Sequence, residues 1–284
     1  NSLSKLIRTH KIEAIITDSW KSLEYLPSNS ANLKILCLAH GAEFPQNITE
    51  KKKLRIQNAM QKAHQIIANS AYTKELVDSY LDSKKSIIIH PGFAFADLEE
   101  IATPPNAAPI LLTIARLEPR KGIDQIIKTL PRLREKFPEL KYKIAGHGAD
   151  LARLKQLATD CQVQNNVEFL GFISEQEKIL LYQEANLFVM PTRIVGNSVE
   201  GFGIVYLEAA AFGIPSIAGK EGGAADAVLD NETGFLCEGE AEIYEKILSL
   251  LSQPDLHQKF SANAKQHAQK FKWENIAQQY LDLI

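Results

Sequence analysis

Two cations and two glutamates stand at spacings that suit an anionic ligand bearing neighbouring hydroxyls. Arg116 and Lys121 lie in Ile114-Ala-Arg-Leu-Glu-Pro-Arg-Lys-Gly122, where an apolar run ends and a helical pattern begins. Two positive charges at the carboxyl edge of a parallel strand, beside a helix N-terminus, can hold a diphosphate. Taken alone, the segment reads equally well as a pair of solvated loop charges. The second pair comes from Glu200-Gly-Phe-Gly-Ile-Val-Tyr-Leu-Glu208. Gly201 and Gly203 let bare backbone approach a ligand, and the amides at the start of the following helix face negative charge. A carboxylate accepts two hydrogen bonds side by side, so each glutamate suits a pair of adjacent hydroxyls. Capping or surface roles lose weight because Glu208 runs directly into Ala209-Ala-Ala-Phe212.

Several other chemistries lack their residues. No Asp-x-Asp pair, His-Glu-x-x-His helix or glycine-lysine phosphate loop occurs, nor a Gly-x-Ser-x-Gly elbow. Metal independence is therefore expected, with Arg116, Lys121 and helix amides meeting the negative charge and no cofactor required. The 284 residues carry 32 basic and 34 acidic side chains, a net charge of −2, which argues against a nucleic-acid partner. The longest apolar stretch, Ile204 to Ile217, is broken by Glu208 and falls short of the roughly 18 to 20 residues of a membrane span. Three distant cysteines, Cys37, Cys161 and Cys237, offer neither a disulfide framework nor a metal knuckle, which suits a reducing, cytoplasmic setting. The chain opens on Asn1 with no leader pattern, so no secretory signal is expected.

These residues need elements to position them. Apolar and β-branched runs at 13–17, 34–39, 65–68 and 87–89 alternate with helical stretches. A second series, 110–115, 141–145, 167–170, 187–190 and 215–218, is interleaved with longer amphipathic segments. Both predict an α/β class, parallel sheets covered by helices on both faces. The proline-rich stretch 102–109 marks a boundary. The reading is a partial domain over 1–98, a linker at 99–109, a second domain at 110–268 and a final helical segment at 269–284. Ile123, Ile126, Ile127, Leu130 and Leu133 mark the buried stripe of one helix, and Pro131 predicts a kink or break in it. After Gly234 the chain is expected to be helical to its end, with Leu248, Leu251, Phe260, Phe271, Trp273 and Tyr280 packing inward.

Arg116, four residues, Lys121-Gly122, then Glu200, seven residues, Glu208, followed by Phe212-Gly-Ile-Pro-Ser-Ile-Ala-Gly219 and Gly222-Gly223, resembles the nucleotide-sugar half of retaining glycosyltransferases of family 4. The similarity runs from about Ile66 to the C-terminus. The stretch from Met190 to Gly219 is most like phosphatidylinositol mannoside mannosyltransferases and related bacterial enzymes. The resemblance implies a GT-B fold of two Rossmann-like domains, the donor lying between them and the last helix crossing back to the first.

Carried over residue by residue, it implies that Arg116 and Lys121 bind and stabilise the leaving diphosphate. Glu200 would meet the transferred hexose, the amides from Gly201 and Phe202 through Gly203, Ile204 and Val205 the sugar and diphosphate, and Glu208 the ribose diol. Gly146, in the Gly146-His147-Gly148 turn, and Phe172-Ile173 would line the base pocket. His40, at a strand's carboxyl end, would face the donor sugar and acceptor, where open α/β sheets bind ligands. Asn69-Ser-Ala-Tyr72 is read as structural.

The implied reaction moves a hexose, mannose favoured, from a nucleoside diphosphate sugar to a glycan, glycolipid or small-molecule hydroxyl. The acceptor attacks from the face the diphosphate leaves, with a phosphate oxygen as base, so configuration is retained. Glu50-Lys-Lys-Lys-Leu-Arg55 reads as a solvated helix face that could also touch anionic lipid, a peripheral membrane contact. Family members open on a strand and a glycine-rich loop, and neither is evident here, so the first domain is read as lacking its opening strands. A donor-binding module without turnover and a GT-B nucleotide-sugar epimerase stay open as other classes.

Overall fold

A computed structural model of the chain describes residues 2–27, 33–45, 47–81, 85–93 and 108–284. It divides into two compact units, one of Asn1–Gly92 with Trp273–Ile284, the other of Phe93–Lys272. Most of the 99–109 stretch lies outside the described residues.

The first unit runs α1 (Ser2–Thr9), β1 (Ala14–Thr17), α2 (Trp20–Leu23), β2 (Lys34–Ala39), α3 (Glu50–Met60), β3 (Gln65–Ala68), α4 (Ala71–Asp78) and β4 (Ser86–Ile88). Its sheet has the order β1-β2-β3-β4, every pair parallel. Thr49 and Ser70 cap α3 and α4, their hydroxyls accepting from Lys52 N and Thr73 N. Each cap satisfies an amide that has no carbonyl within its helix. This gives Asn69-Ser-Ala-Tyr72 a helix-starting role.

The second unit runs β5 (Ile110–Ile114), α5 (Ile123–Lys136), β6 (Lys141–Ala145), α6 (Leu151–Asp160), β7 (Val167–Gly171), α7 (Glu175–Glu184) and β8 (Leu187–Met190). It continues through α8 (Ile204–Ala211), β9 (Ser216–Gly219), α9 (Ala224–Ala227), β10 (Gly234–Cys237), α10 (Gly239–Ser252) and α11 (Pro254–Ala268). All strand pairs are parallel, in the order β10-β9-β8-β5-β6-β7. Alternation along the strands serves two cores. Leu111, Ile144, Leu187, Val189 and Ile217 pack with α5, α6 and α10, whereas Leu112, Ala145, Phe188, Met190 and Ala218 pack with α7, α8 and α11. Helices thus cover both faces, as the runs of buried residues predict.

The strand order reverses between β5 and β8, and at such a switch point the connections leave in opposite directions and open a crevice at the strands' carboxyl ends. The loops following β5 and β8 meet there. The last helix, α12 (Trp273–Leu281), belongs to the first unit, where Ile276 and Tyr280 pack with Leu36, Ile67 and Ile89.

Three expectations need correction. Residues 234–237 form β10, parallel to β9, instead of starting a helix. The glycine is required there, because a Cβ on Gly234 would collide with the Ser216 carbonyl oxygen. Next, the break that Pro131 allowed for does not occur, and α5 continues through it to Lys136. A proline costs a helix about 3 kcal/mol, but five buried aliphatic side chains at roughly 1.5–3 kcal/mol each hold the face that crosses it. Finally, Trp273 stays 47% exposed, its ring lying against Gly92. Phe260 and Phe271 are buried, and Leu248, Leu251 and Tyr280 pack against cores as expected.

Candidate functional site

The loop after β5 tightens into a single turn at Pro119–Lys121 and leaves through Gly122, whose φ of 71° is left-handed. A Cβ at Gly122 would strike the Pro191 carbonyl, so glycine lets the loops after β5 and β8 close on each other. Arg193 N donates to Arg120 O at 2.9 Å across that contact. Arg116 points outward, its side chain 69% exposed, and pairs with Glu118 at 3.0 Å. Arg120 and Lys121 are buried instead, each 7% exposed.

Glu200 is what they meet. Arg120 Nη1 donates to Glu200 Oε2 at 2.7 Å, and Lys121 Nζ donates to the same oxygen. Glu200 Oε1 has no protein partner among the described residues. Arg120 Nε also donates to Glu118 Oε2 at 2.8 Å. Burial pushes the Glu200 carboxyl up, but Lys121 and Arg120 outweigh it and hold the group below the ordinary carboxylate range. Burial pushes the Lys121 ammonium down against the pull of Glu200.

The backbone around Glu200 is fixed as firmly. Its carbonyl accepts from Gly223 N at 2.8 Å, and Gly222, at φ 83°, packs so closely that a Cβ would press on the Glu200 carbonyl. Gly201 and Gly203 flank the buried Phe202, and Gly203 starts α8 in a left-handed conformation beside the Tyr206 ring. The amides of Ile204 and Val205 belong to the first turn, which has no intrahelical carbonyl to bond.

Glu208 lies in the second turn of α8 with both carboxylate oxygens engaged. Lys178 Nζ donates to Oε1 at 3.1 Å and Tyr182 Oη to Oε2 at 2.9 Å. Burial pushes Lys178 down, yet Glu175 and Glu208 together raise it. The Tyr182 phenol is pushed well up, by burial first and Glu208 second.

At the carboxyl ends of β6 and β7, Gly146 adopts φ 125°, and a Cβ there would collide with the Ala115 carbonyl oxygen. The His147 ring lies 3.8 Å, centroid to centroid, from Phe172, which is 78% exposed, while Ile173 turns inward onto the core. Two aromatic rings, one bared to water, offer a stacking surface. In the first unit His40 follows β2 and is exposed. Its Nε2 lies 3.1 Å from Asp18 O, its amide donates to Glu43 Oε1 at 2.7 Å, and its carbonyl accepts from Asn69 Nδ2 at 3.4 Å.

The structure therefore joins Lys121 to Glu200 and leaves Arg116 at the rim. It also adds Arg120, which sequence reasoning passed over. Residues 94–267 match the family described as glycosyl transferases group 1. The chain belongs to that family. A GDP-mannose-dependent alpha-(1-6)-phosphatidylinositol monomannoside mannosyltransferase of Mycolicibacterium smegmatis is 31% identical over 255 residues, 84% of this chain and 66% of its own. A monoacylated-substrate counterpart of Corynebacterium glutamicum is 36% identical over 184 residues, 63% of this chain and 48% of its own. This group 1 chain thus spans only part of the length of these relatives.

Among solved structures, sucrose-phosphate synthase of Thermosynechococcus elongatus superposes with a TM-score of 0.82 at 22% identity, covering 99% of this chain and 75% of its own. Anabaena HepE, solved with UDP, gives 0.83 at 21% identity over 99% and 80%. Those likenesses establish the GT-B fold class. No helix among the described residues is long and apolar enough to cross a membrane.

Proposed function

We propose that this group 1 chain transfers a mannosyl group from GDP-mannose to a hydroxyl of a glycan or glycolipid, with retention and without a divalent metal. The observation that carries the reading is the Glu200 carboxylate, its side chain only 13% exposed at the switch point, held on one oxygen by Arg120 and Lys121 and open on the other. Lys121, Arg116 at the rim and the first-turn amides of α8 would receive the diphosphate and stabilise it as it leaves, the charge compensation a metal would otherwise supply. Glu200 Oε1 would accept from a hexose hydroxyl. Glu208 would accept from the ribose diol, sharing its oxygens with Lys178 and Tyr182. The guanine would lie near His147 and Phe172, and His40 would face the sugar and acceptor. A leaving-group phosphate oxygen takes the acceptor proton as the hydroxyl attacks the anomeric carbon from the departing face.

The mannose choice rests on the relatives named for GDP-mannose. Exposed Lys51, Lys52 and Leu54 on α3 suit a peripheral contact with anionic lipid at the cytoplasmic face, whereas Arg55 is committed to Glu24 through two hydrogen bonds of 2.7 Å. Competition between GDP-mannose and UDP sugars in EDTA tests the donor and the metal together. Preference for the GDP sugar is expected. A preference for UDP sugars, or complete loss of binding on chelation, would overturn the corresponding part.

A further inference from the structure

The two cations on Glu200 Oε2 are built differently. Lys121 ends in a flexible ammonium whose carboxylate contact is to Glu200. Arg120 is fixed along two edges, its Nε on Glu118 and its Nη1 on Glu200. Its backbone is pinned as well, because its carbonyl accepts from Arg193 N and the Arg193 guanidinium pairs with buried Asp124 at 2.9 Å. An incoming diphosphate competes for whichever cation can move, and a planar fork held at both edges cannot turn without breaking two charge-assisted bonds.

We propose that Arg120 is the fixed positioning residue of this site: it holds the Glu200 carboxylate with Oε1 open while Lys121 is released to the diphosphate. This rests on the reading that Glu200 meets the transferred sugar. Without Arg120, release of Lys121 would leave the largely enclosed Glu200 with no cation, and the carboxylate would rotate or take up a proton. The groups facing Glu200 are Arg120, Lys121 and, behind them, Glu118 from the β5 loop, with Tyr206 from α8.

The test uses the full chain and two readouts. The first is a carbon-13 pH titration of the Glu200 carboxyl, its resonance assigned with Glu200→Gln. Arg120→Met should raise the midpoint by about one pH unit or more, and Arg120→Lys by less. The second is the affinity ratio of GDP-mannose to GDP. Arg120→Met should reduce that ratio about tenfold, and adding Glu200→Gln should reduce it no further, because both substitutions remove one contact. Purely structural loss would weaken GDP and GDP-mannose alike. If Arg120→Met does not fold, Arg120→Lys and Glu118→Gln carry the same comparison in smaller steps. An unchanged midpoint together with additive effects on the ratio would overturn the proposal. Absence of any GDP-mannose preference in the wild-type chain would count against the sugar reading of Glu200, and the titration would still decide whether Arg120 holds it.

Discussion

Glu200 and His40 both follow the carboxyl ends of parallel strands, and their surroundings share little. Glu200 is enclosed, its carboxylate fixed by two buried cations and its backbone by Gly222 and Gly223. His40 is exposed and held through its own backbone and, among the described residues, a ring contact to Asp18 O. The enclosed group has its protonation and direction set before any ligand arrives. The exposed one has a ring anchored, among the described residues, by a main-chain carbonyl alone. A preorganised charge is worth more in a water-poor site than in water, so the two positions should respond very differently to substitution.

The largest effect is expected at the enclosed end. Glu200→Gln should slow transfer by about 10²-fold or more while leaving GDP affinity within about twofold, since the carboxylate is assigned to the sugar. Steady-state kinetics beside calorimetry with GDP would show the split, and an equal fall in both would contradict it. Glu208→Gln should do the reverse, weakening GDP about tenfold with kcat at saturating donor changed by no more than about threefold. Smaller again is His40→Ala. Its stability should stay within about 0.5 kcal/mol in urea unfolding, because an exposed side chain supports little packing, while transfer falls without loss of GDP affinity.

The pH dependence follows the same contrast. The Glu200 carboxyl is lowered in the folded chain, so its contribution to stability is complete above the unfolded value of about 4.5 and is lost as pH falls through the folded one. The wild-type chain should therefore lose stability below about pH 4.5 more steeply than Glu200→Gln, with unfolding midpoints in urea at pH 3 to 6 as the measurement.

Much of this was legible from residue types. Among the described residues, nine of ten strands fall on the apolar or β-branched runs, because strands flanked by helices place aliphatic side chains in the cores. The strand β10 was not, since Gly234-Phe-Leu-Cys237 is short and what makes it a strand is the neighbouring β9. Pro131 does not break its helix for a related reason: the stripe that carries the helix across it draws its energy from tertiary packing. At the site, the Lys121 and Glu200 spacings were visible, but Arg120 was not. Adjacent basic residues in a loop look like solvated charge, and the Glu200 that marks this one out lies 80 positions away. A signal was present in Glu118-Pro-Arg-Lys121, where proline stiffens the turn that presents both cations.

The most direct measurement is a calorimetric titration of the chain with GDP-mannose in EDTA, repeated with Lys121→Met and Glu200→Gln. If the switch point between β5 and β8 is the donor site, the wild-type chain binds without metal and Lys121→Met loses about tenfold or more for GDP and GDP-mannose alike. Glu200→Gln then loses only the advantage of the sugar-bearing nucleotide. Unchanged affinities in both variants would place the donor elsewhere on the molecule.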